Sequence, residues 1–374
     1  MKLIFILRSV VLKGGLERVI VEKANWLATH GHTVTLLTYE QGNHPFVYEL
    51  HPNVNHRDLD CRYFTIYRYP FFIRPIKAFV MRHRFKKKVL QQIRIQNTDE
   101  IIVPHNIHEY LGTIVSINKI IPIVIEMHST SVEINEERHS LKGKLKYLSF
   151  TRNVGKCQLV ITLNKHDSDF WSNYCKSVIV VPNPLSHFPR NSVIEKEPGK
   201  IICPARLHRV KRLDRLVEAF ALIVNQFPSK WHIDIYGDGE EKEKLINLIE
   251  ERHLQGRVVI HTPVDDIYSE MKRSQFAVLS SDYESFSLAI IEAMACGTPV
   301  VSTDCPYGPG EIIDNGVTGL LAKMEAKDLA TKMGWMISHE KNCAEMGERA
   351  KMEVTKYKPE YVMKEWEKAY LSVL

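Results

Sequence analysis

Two glutamates, Glu284 and Glu292, stand eight positions apart in the segment Ser281-Asp-Tyr-Glu-Ser-Phe-Ser-Leu-Ala-Ile-Ile-Glu-Ala-Met-Ala-Cys-Gly-Thr-Pro-Val-Val301. Ser285 and Ser287 open an apolar helical run between them, Gly297 is a stop signal, and Pro299-Val-Val301 starts a buried strand. The segment reads as loop, helix, turn and strand, with one carboxylate ahead of the helix and one inside it. A helix N-terminus offers free N–H groups and the positive end of a dipole, which suits a phosphate. Glu292 would lie about 9 Å further along, at about 1.5 Å per residue, where it could hold a ribose. Glu284 stays in the loop for a group beyond the phosphates. A nucleoside diphosphate-sugar has that layout; two solvated glutamates on a helix are the plainer alternative.

Arg206 ends the strand-like run that opens the second half, Ile201–Cys203, and Lys211 follows five residues later at a helix start. Two cations at a strand edge can neutralise a diphosphate as it gathers leaving-group charge. Arg bonds two oxygens at once, whereas Lys acts as a point charge. Arg209 and Arg212 crowd the same stretch, so a generic basic loop competes with that role. Gly14 and Gly15 follow the first strand and open the first helix, where a phosphate or sugar can approach the backbone; a flexible turn explains them as readily. His128 follows the run Ile121–Glu126, a position equally natural for an ordinary loop residue. His105 also ends a strand and rivals it. Tyr236-Gly-Asp-Gly239 is a turn that either shapes a nucleoside pocket or is purely structural.

The elements that must position these groups are short apolar strands alternating with amphipathic helices, which implies βα units and parallel sheets. In the first half the strand-like runs are Leu3–Leu7, Thr33–Thr38, Ile101–Val103, Ile121–Glu126, Leu159–Thr162 and Val178–Val181. In the second they are Ile201–Cys203, Ile233–Tyr236, Val258–His261, Phe276–Leu279 and Pro299–Ser302. A helix is expected over Leu16–Thr29. The prolines of Val181-Pro-Asn-Pro184 can continue neither a ladder nor a helix interior and mark the linker. The expected domains are 1–183, joined by a final helix within 357–374, and 184–356. A chain of 374 residues has room for two such cores. Ligands of doubly wound sheets bind at the strand C-terminal edges, which puts the active site in a cleft between the halves.

Seven cysteines form no Cys-x-x-Cys pair and are odd in number, against a zinc site or disulfide framework and for a reducing compartment. The N-terminal apolar run is too short for a signal peptide and reads as a core strand. No run reaches the ~20 apolar residues of a spanning helix. A cytoplasmic protein is expected.

The net charge of +6 is local: residues 61–98 carry ten Lys and Arg and no acid, so the rest of the chain sums to −4. Eight aromatics interleave with them, Tyr63, Phe64, Tyr67, Tyr69, Phe71, Phe72, Phe79 and Phe85. A helix over Ile76–Ile95 would carry Lys77, Arg84 and Lys88 on one stripe. Such a surface suits anionic lipid headgroups or a pyrophosphate. A solvated basic face or a nucleic-acid site are its rivals; membrane is the reading adopted, with no nucleic acid.

The Glu284–Val301 segment resembles the Glu-x7-Glu signature of retaining glycosyltransferases of family 4, which have the GT-B fold: α/β, two doubly wound Rossmann-like domains facing across a cleft. Gly14-Gly-Leu-Glu-Arg-Val and the Arg206-x4-Lys211 spacing are similar to that family's opening and donor-phosphate motifs. Cys305-Pro-Tyr-Gly-Pro-Gly-Glu-Ile-Ile313 resembles the form found in a subset acting on lipid-linked acceptors. The resemblance spans Gly14 to Gly319. It implies transfer of a hexose or N-acetylhexosamine from a nucleotide-sugar, UDP by family frequency, to a saccharide acceptor with retention, in cell-surface polysaccharide, lipopolysaccharide or capsule synthesis. Glu292 would bind the ribose and Glu284 the donor sugar. Backbone N–H groups of Phe286, Ser287 and Leu288 would meet the phosphate–sugar junction, Gly14 and Gly15 the diphosphate, and His128 the donor sugar. Front-face attack, with the departing phosphate taking the acceptor proton, calls for no protein nucleophile, and no cofactor or metal is expected. Ser285 and Ser287 depart from the glycines common in that loop. The alternatives are a nucleotide-sugar epimerase of the same architecture and a catalytically silent sugar-binding protein.

Overall fold

The computed structural model describes residues 1–93, 99–105, 108–117, 121–136, 138, 140–186, 188–189 and 194–374. By contact the chain divides into two compact units, Met1–Pro184 with Glu360–Leu374, and Leu185–Pro359.

In the first unit the strands β1 (Lys2–Leu7), β2 (Thr33–Thr38), β3 (Val54–Asp58) and β4 (Glu100–Pro104) form a parallel sheet in the order β3-β2-β1-β4. The strands β5 (Val124–Met127), β6 (Leu159–Thr162) and β7 (Val178–Val180) continue it through bridges between Ile102 and Ile123 and between His105 and Glu126. In the second unit β8 (Lys200–Pro204), β9 (His232–Tyr236), β10 (Val258–His261), β11 (Phe276–Leu279), β12 (Val300–Thr303) and β13 (Gly319–Ala322) are all parallel, in the order β10-β9-β8-β11-β12-β13. Each unit thus reverses direction beside its first strand, between β1 and β4 and between β8 and β11. Such reversals open a crevice outside the strand C-termini where ligands of doubly wound sheets bind.

Strands buried on both faces read as continuous Ile/Val/Leu runs, and β4, β5, β6, β11 and β12 are buried at every position. Among the described residues eleven of thirteen strands coincide with apolar runs, these five most directly; β7 and β10 are apolar in sequence though largely not buried. The other two, β3 and β13, are edge strands; β3 is Val-Asn-His-Arg-Asp, with only Val54 buried. The helices needed below are α1 (Gly15–Thr29), α2 (Arg74–Leu90), α3 (Leu141–Val154), α4 (Leu213–Ile223) and α5 (Leu288–Ala295). Helix α1 buries Val19, Ile20, Ala24 and Leu27, as its spacing requires. The chain's last helix, Pro359–Leu371, buries Trp366 and Tyr370, and the indole of Trp366 donates to the Pro182 carbonyl at 2.9 Å.

Helix α2 starts and ends earlier than its expected span; Arg94 and Ile95 lie outside the described residues. The expected basic stripe is corrected in part. Lys88 is partly buried and donates to the Leu59 carbonyl, Arg84 lies 3.7 Å from Asp60, and Phe85 is wholly buried, stacked on Tyr110. Asp60 lies just outside the acid-free window and so escaped the charge count. All seven cysteines are free. Among the described residues no helix is long and apolar enough to cross a membrane.

Candidate active site

In the second unit the reversal point falls between the loops after β8 and β11, the two loops that carry the charged motifs. Arg206 is exposed two residues beyond β8. Lys211 sits in a short 3₁₀ turn, Arg209–Lys211, and its Nζ donates to Glu284 Oε1 at 2.6 Å. Ser281 Oγ donates to the same oxygen at 2.7 Å. The cation and the carboxylate, 73 residues apart in sequence, are thus neighbours ahead of α5. Both remain partly accessible, 27% for the Lys211 side chain and 11% for Glu284, so a ligand can reach either.

The loops holding this pair are braced from beneath. Arg215, buried on α4, donates to the Ser280 carbonyl at 2.8 Å and to Asp282 at 2.6 Å. Ser280 Oγ donates to the carbonyls of Lys211 and Arg212, and Thr303 Oγ1 to that of Ser281. Arg212 has left-handed backbone (φ 45°) and pairs with Asp214 and Asp282. The crowded cations therefore separate: Lys211 faces the site residue, whereas Arg212 and Arg215 hold the loop. The Tyr236–Gly239 turn is structural in the same sense. A Cβ on Gly237 would meet the Ala205 carbonyl oxygen at 1.9 Å and one on Gly239 the Leu207 oxygen at 2.3 Å. Both glycines let this turn pack against the backbone that presents Arg206.

Helix α5 starts at Leu288 with Ser287 as N-cap, whose side chain makes no cap hydrogen bond. The N–H groups of Phe286, Ser287 and Leu288 lead from the Glu284 loop through the N-cap into its first residue, and Glu292 is buried one turn in. The helix ends at Gly297, whose φ of 70° an L side chain rarely adopts. Gly308 (φ 106°) brings its loop against the Glu284 carbonyl, 3.1 Å from where its Cβ would stand, and the Pro306 carbonyl accepts from the Glu284 N–H. A separate cavity of about 740 Å³ in this unit is lined by the end of the Cys305–Ile313 motif, Glu311 included, together with Asp314, Arg349 and Lys356, and by none of the candidate donor-site residues.

In the first unit Gly14 is the N-cap of α1 and Gly15 its first residue, reached from β1 at the reversal point. His128 lies beyond β5 in a cluster that sequence reasoning missed. Its Nε2 is 2.9 Å from Glu126 Oε2, which also accepts from Lys23; Tyr370 donates to Oε1. His105 Nδ1 is 3.4 Å from Oε2, without hydrogen-bond geometry. Glu126 and Lys23 are fully buried, and Lys23 also lies 3.5 Å over the Trp366 ring. Burial works against a charged Glu126, but Lys23 and the two histidines outweigh it and hold the carboxyl well below its ordinary value. Burial pushes His105 down to about 3 and lowers His128, despite the bond to Glu126.

His105, Glu126 and His128 have ligand atoms within 4.8 Å of one another, the spacing of a metal site. The donor set does not fit one. Lys23 occupies the Glu126 oxygen nearest both histidines and Tyr370 takes the other, so a metal would have to displace a buried ammonium already neutralising the carboxylate. The ion pair at the centre of this cluster is Lys23 with Glu126, and Glu126 in turn orients His128. The signal that would have found it is a charged residue inside an apolar strand, Glu126 within Val-Ile-Glu-Met, and a lysine on the buried face of α1.

Comparison with known proteins agrees with this geometry. The description "Glycosyltransferase Family 4" matches residues 13–187 and "Glycosyl transferases group 1" matches residues 187–353. The chain belongs to glycosyltransferase family 4. An uncharacterized glycosyltransferase of Haemophilus influenzae is 24% identical over 98% of both chains. The N-acetyl-alpha-D-glucosaminyl L-malate synthase of Bacillus anthracis is 24% identical over 96% of this chain and 94% of its own. The structure of S. aureus TarM with fondaparinux, alpha-GlcNAc-glycerol and UDP superposes with a TM-score of 0.79 at 15% identity, covering 99% of each chain. The fold is GT-B and the protein is a glycosyltransferase.

Proposed function

We propose that this enzyme is a retaining transferase that moves a hexose or N-acetylhexosamine from a UDP-sugar to a saccharide acceptor. The observation that carries the reading is the Lys211–Glu284 pair at the reversal point, ahead of a helix N-terminus and one turn from buried Glu292. Arg206 and Lys211 take the diphosphate, the N–H groups of Phe286, Ser287 and Leu288 meet the phosphate next to the sugar, Glu284 takes sugar hydroxyls and Glu292 the ribose. As the glycosidic bond breaks, negative charge grows on the diphosphate and the two cations stabilise it. The acceptor hydroxyl attacks from the same face, and its proton passes to the departing phosphate oxygen. Gly14 and Gly15 give the donor close backbone approach, and His128, oriented by Glu126, contacts the donor sugar. A relative named for an α-D-glucosaminyl product, and a structural neighbour with alpha-GlcNAc-glycerol and UDP, support a UDP-linked donor and an α product.

The positive charge on the diphosphate is supplied by side chains, so the reaction needs no metal. The acceptor is lipid-linked, and the enzyme works as a peripheral protein on the cytoplasmic face of a membrane, docked through the 61–98 segment. Supporting this, Tyr67, Phe71, Phe72, Ile76 and Phe79 are exposed, Arg74 donates to the Tyr67 and Tyr69 carbonyls, and Lys77 lies 4.6 Å from the Tyr69 ring. The test is a thermal-shift panel of nucleotide-sugars in EDTA, since a ligand of the native state alone raises Tm. One UDP-sugar should shift the melt and be hydrolysed slowly without acceptor. Conversion to an isomeric UDP-sugar would make the enzyme an epimerase, and a metal-dependent shift would overturn the metal-free reading.

A further inference from the structure

A surface helix of a globular protein normally turns its apolar stripe inward. Helix α3 buries Tyr147 and Val154 in that way but carries a second apolar stripe on its outer side: Leu141, Leu145 and Leu148, at helical spacing, are 78%, 61% and 60% exposed. Helix α2 behaves alike, with Ile76, Phe79 and Val80 also exposed. Neither helix contains an acidic residue, and the stretches 61–93 and 140–158 together hold fourteen Lys and Arg and no Asp or Glu. Fifty residues, 91–140, separate α2 from α3 in the sequence, yet the two helices border one cavity of about 400 Å³.

Phe79, Arg82 and Lys86 of α2 line that cavity on one side, Ser149 and Asn153 of α3 on the other, with Gly112 between them. A Cβ on Gly112 would lie 3.0 Å from the Asn153 amide nitrogen, so only glycine leaves the floor open without moving Asn153. Arg82 is held in place: Nε donates to the Glu109 carbonyl at 3.3 Å, and a terminal nitrogen reaches the Tyr63 hydroxyl at 3.4 Å. The Glu109 carboxylate also lines the cavity, where it accepts from Tyr39 at 3.0 Å.

We propose that α2 and α3 form a single bilayer-docking face, whose two apolar stripes enter the acyl boundary while the groove between them takes the phosphate of an anionic phospholipid. The proposal rests on the membrane reading above and extends it to a second helix and a defined headgroup site. An apolar stripe beside a majority of cations is the pattern of an interfacial helix; among the described residues Glu109 is the one acidic residue lining the groove. A fixed guanidinium and a lysine at the groove suit a phosphate diester. A second copy of the chain is the poorer occupant, because self-association would press two predominantly basic faces together.

The test is co-flotation of the full chain with vesicles of phosphatidylcholine alone and of an equimolar mixture with phosphatidylglycerol. Wild type should float with the mixed vesicles and remain free with phosphatidylcholine. Changing Leu141, Leu145 and Leu148 together to Ser should weaken flotation at least tenfold, as removal of apolar burial requires. Changing Arg82 and Lys86 together to Ser should weaken it about thirtyfold, from about 1 kcal/mol per cation. Both variants should keep the wild-type melting shift with a UDP-sugar, which controls for folding. Glycerol 3-phosphate in excess should not release wild type, since the free headgroup lacks the acyl anchor; release would make the groove a soluble-phosphate site and overturn the proposal. If wild type floats and both variants float equally well, this inference fails while docking through the segment before α2 stands. If wild type ignores both vesicles, both readings fall. A wild-type dimer that the leucine variant abolishes would make the face a self-interface and overturn the proposal.

Discussion

The two units share one strand plan and treat their charges in opposite ways. At the edge of β5 in the first, Glu126, Lys23 and Tyr370 are sealed from solvent, and three of the four groups around the carboxylate come from distant parts of the chain. At the reversal point of the second unit, Lys211 and Glu284 pair while remaining open to solvent. A buried pair gains little net stability but is costly to break, because the survivor is left charged without water. A half-open pair contributes little to stability, and its members stay available to a ligand. The first unit's charges therefore serve the fold, and through it the placement of His128. In the second unit Arg215 likewise braces a loop, whereas Lys211 and Glu284 stay open to solvent, as the proposed donor site requires.

Substitution at Glu126 should break this contrast most sharply. Glu126→Ala should destabilise the protein by about 3–5 kcal/mol in chemical denaturation, by stranding the Lys23 ammonium. The double change Lys23→Met with Glu126→Leu should recover most of that loss. A single-variant cost near zero would show that Lys23 is already neutral or solvated.

In the second unit the expected damage moves from stability to turnover. Lys211→Ala should lower transferase kcat by about a hundred- to a thousandfold, the cost of losing one charge-stabilising donor, with an almost unchanged denaturation midpoint. A large fall in stability with intact turnover would reverse the assignment. Glu292→Ala should weaken UDP-sugar binding about tenfold to a hundredfold, from roughly 1.5–3 kcal/mol for a hydrogen bond to a charged group; calorimetry showing unchanged affinity would remove it from the ribose.

The smallest effect per step is the pH response of the first unit. His105 has its folded pKa depressed to about 3 from an ordinary 6.5. It is neutral in the fold, so the stability it supports is complete above about pH 6.5 and erodes as pH falls toward the folded value. The slope should approach about 1.4 kcal/mol per pH unit. Denaturation between neutral pH and pH 5 should show it, and His105→Phe should reduce it, leaving the part that His128, also lowered by burial, contributes. An equally steep profile in the variant would assign the slope to other groups.

Much of the local architecture was legible because burial on both faces leaves a direct mark on sequence. Eleven strands announce themselves as apolar runs, α1 by its 3.6-residue spacing, and the end of α5 by Gly297, whose φ is positive. The edge strand β3 carries no such mark, since half its surface faces water and tolerates Asn, His and Arg. The charge count over 61–98 was legible as well, but not that Lys88 and Arg84 would turn to Leu59 and Asp60, because a side chain's partner is set by the loop folded against it.

The sequence by itself determined the βα alternation, the family likeness and the chemical types at each candidate position, because these depend on local order along the chain. Tertiary structure decided the partners. Lys211 finds Glu284 across 73 residues, Lys23 finds Glu126 across 103 and Tyr370 finds it across 244. The outward leucines of α3 likewise acquire meaning only beside α2. An ionised group records its own type in the sequence, whereas its protonation and availability depend on what the fold places within a few ångströms and how much water it leaves.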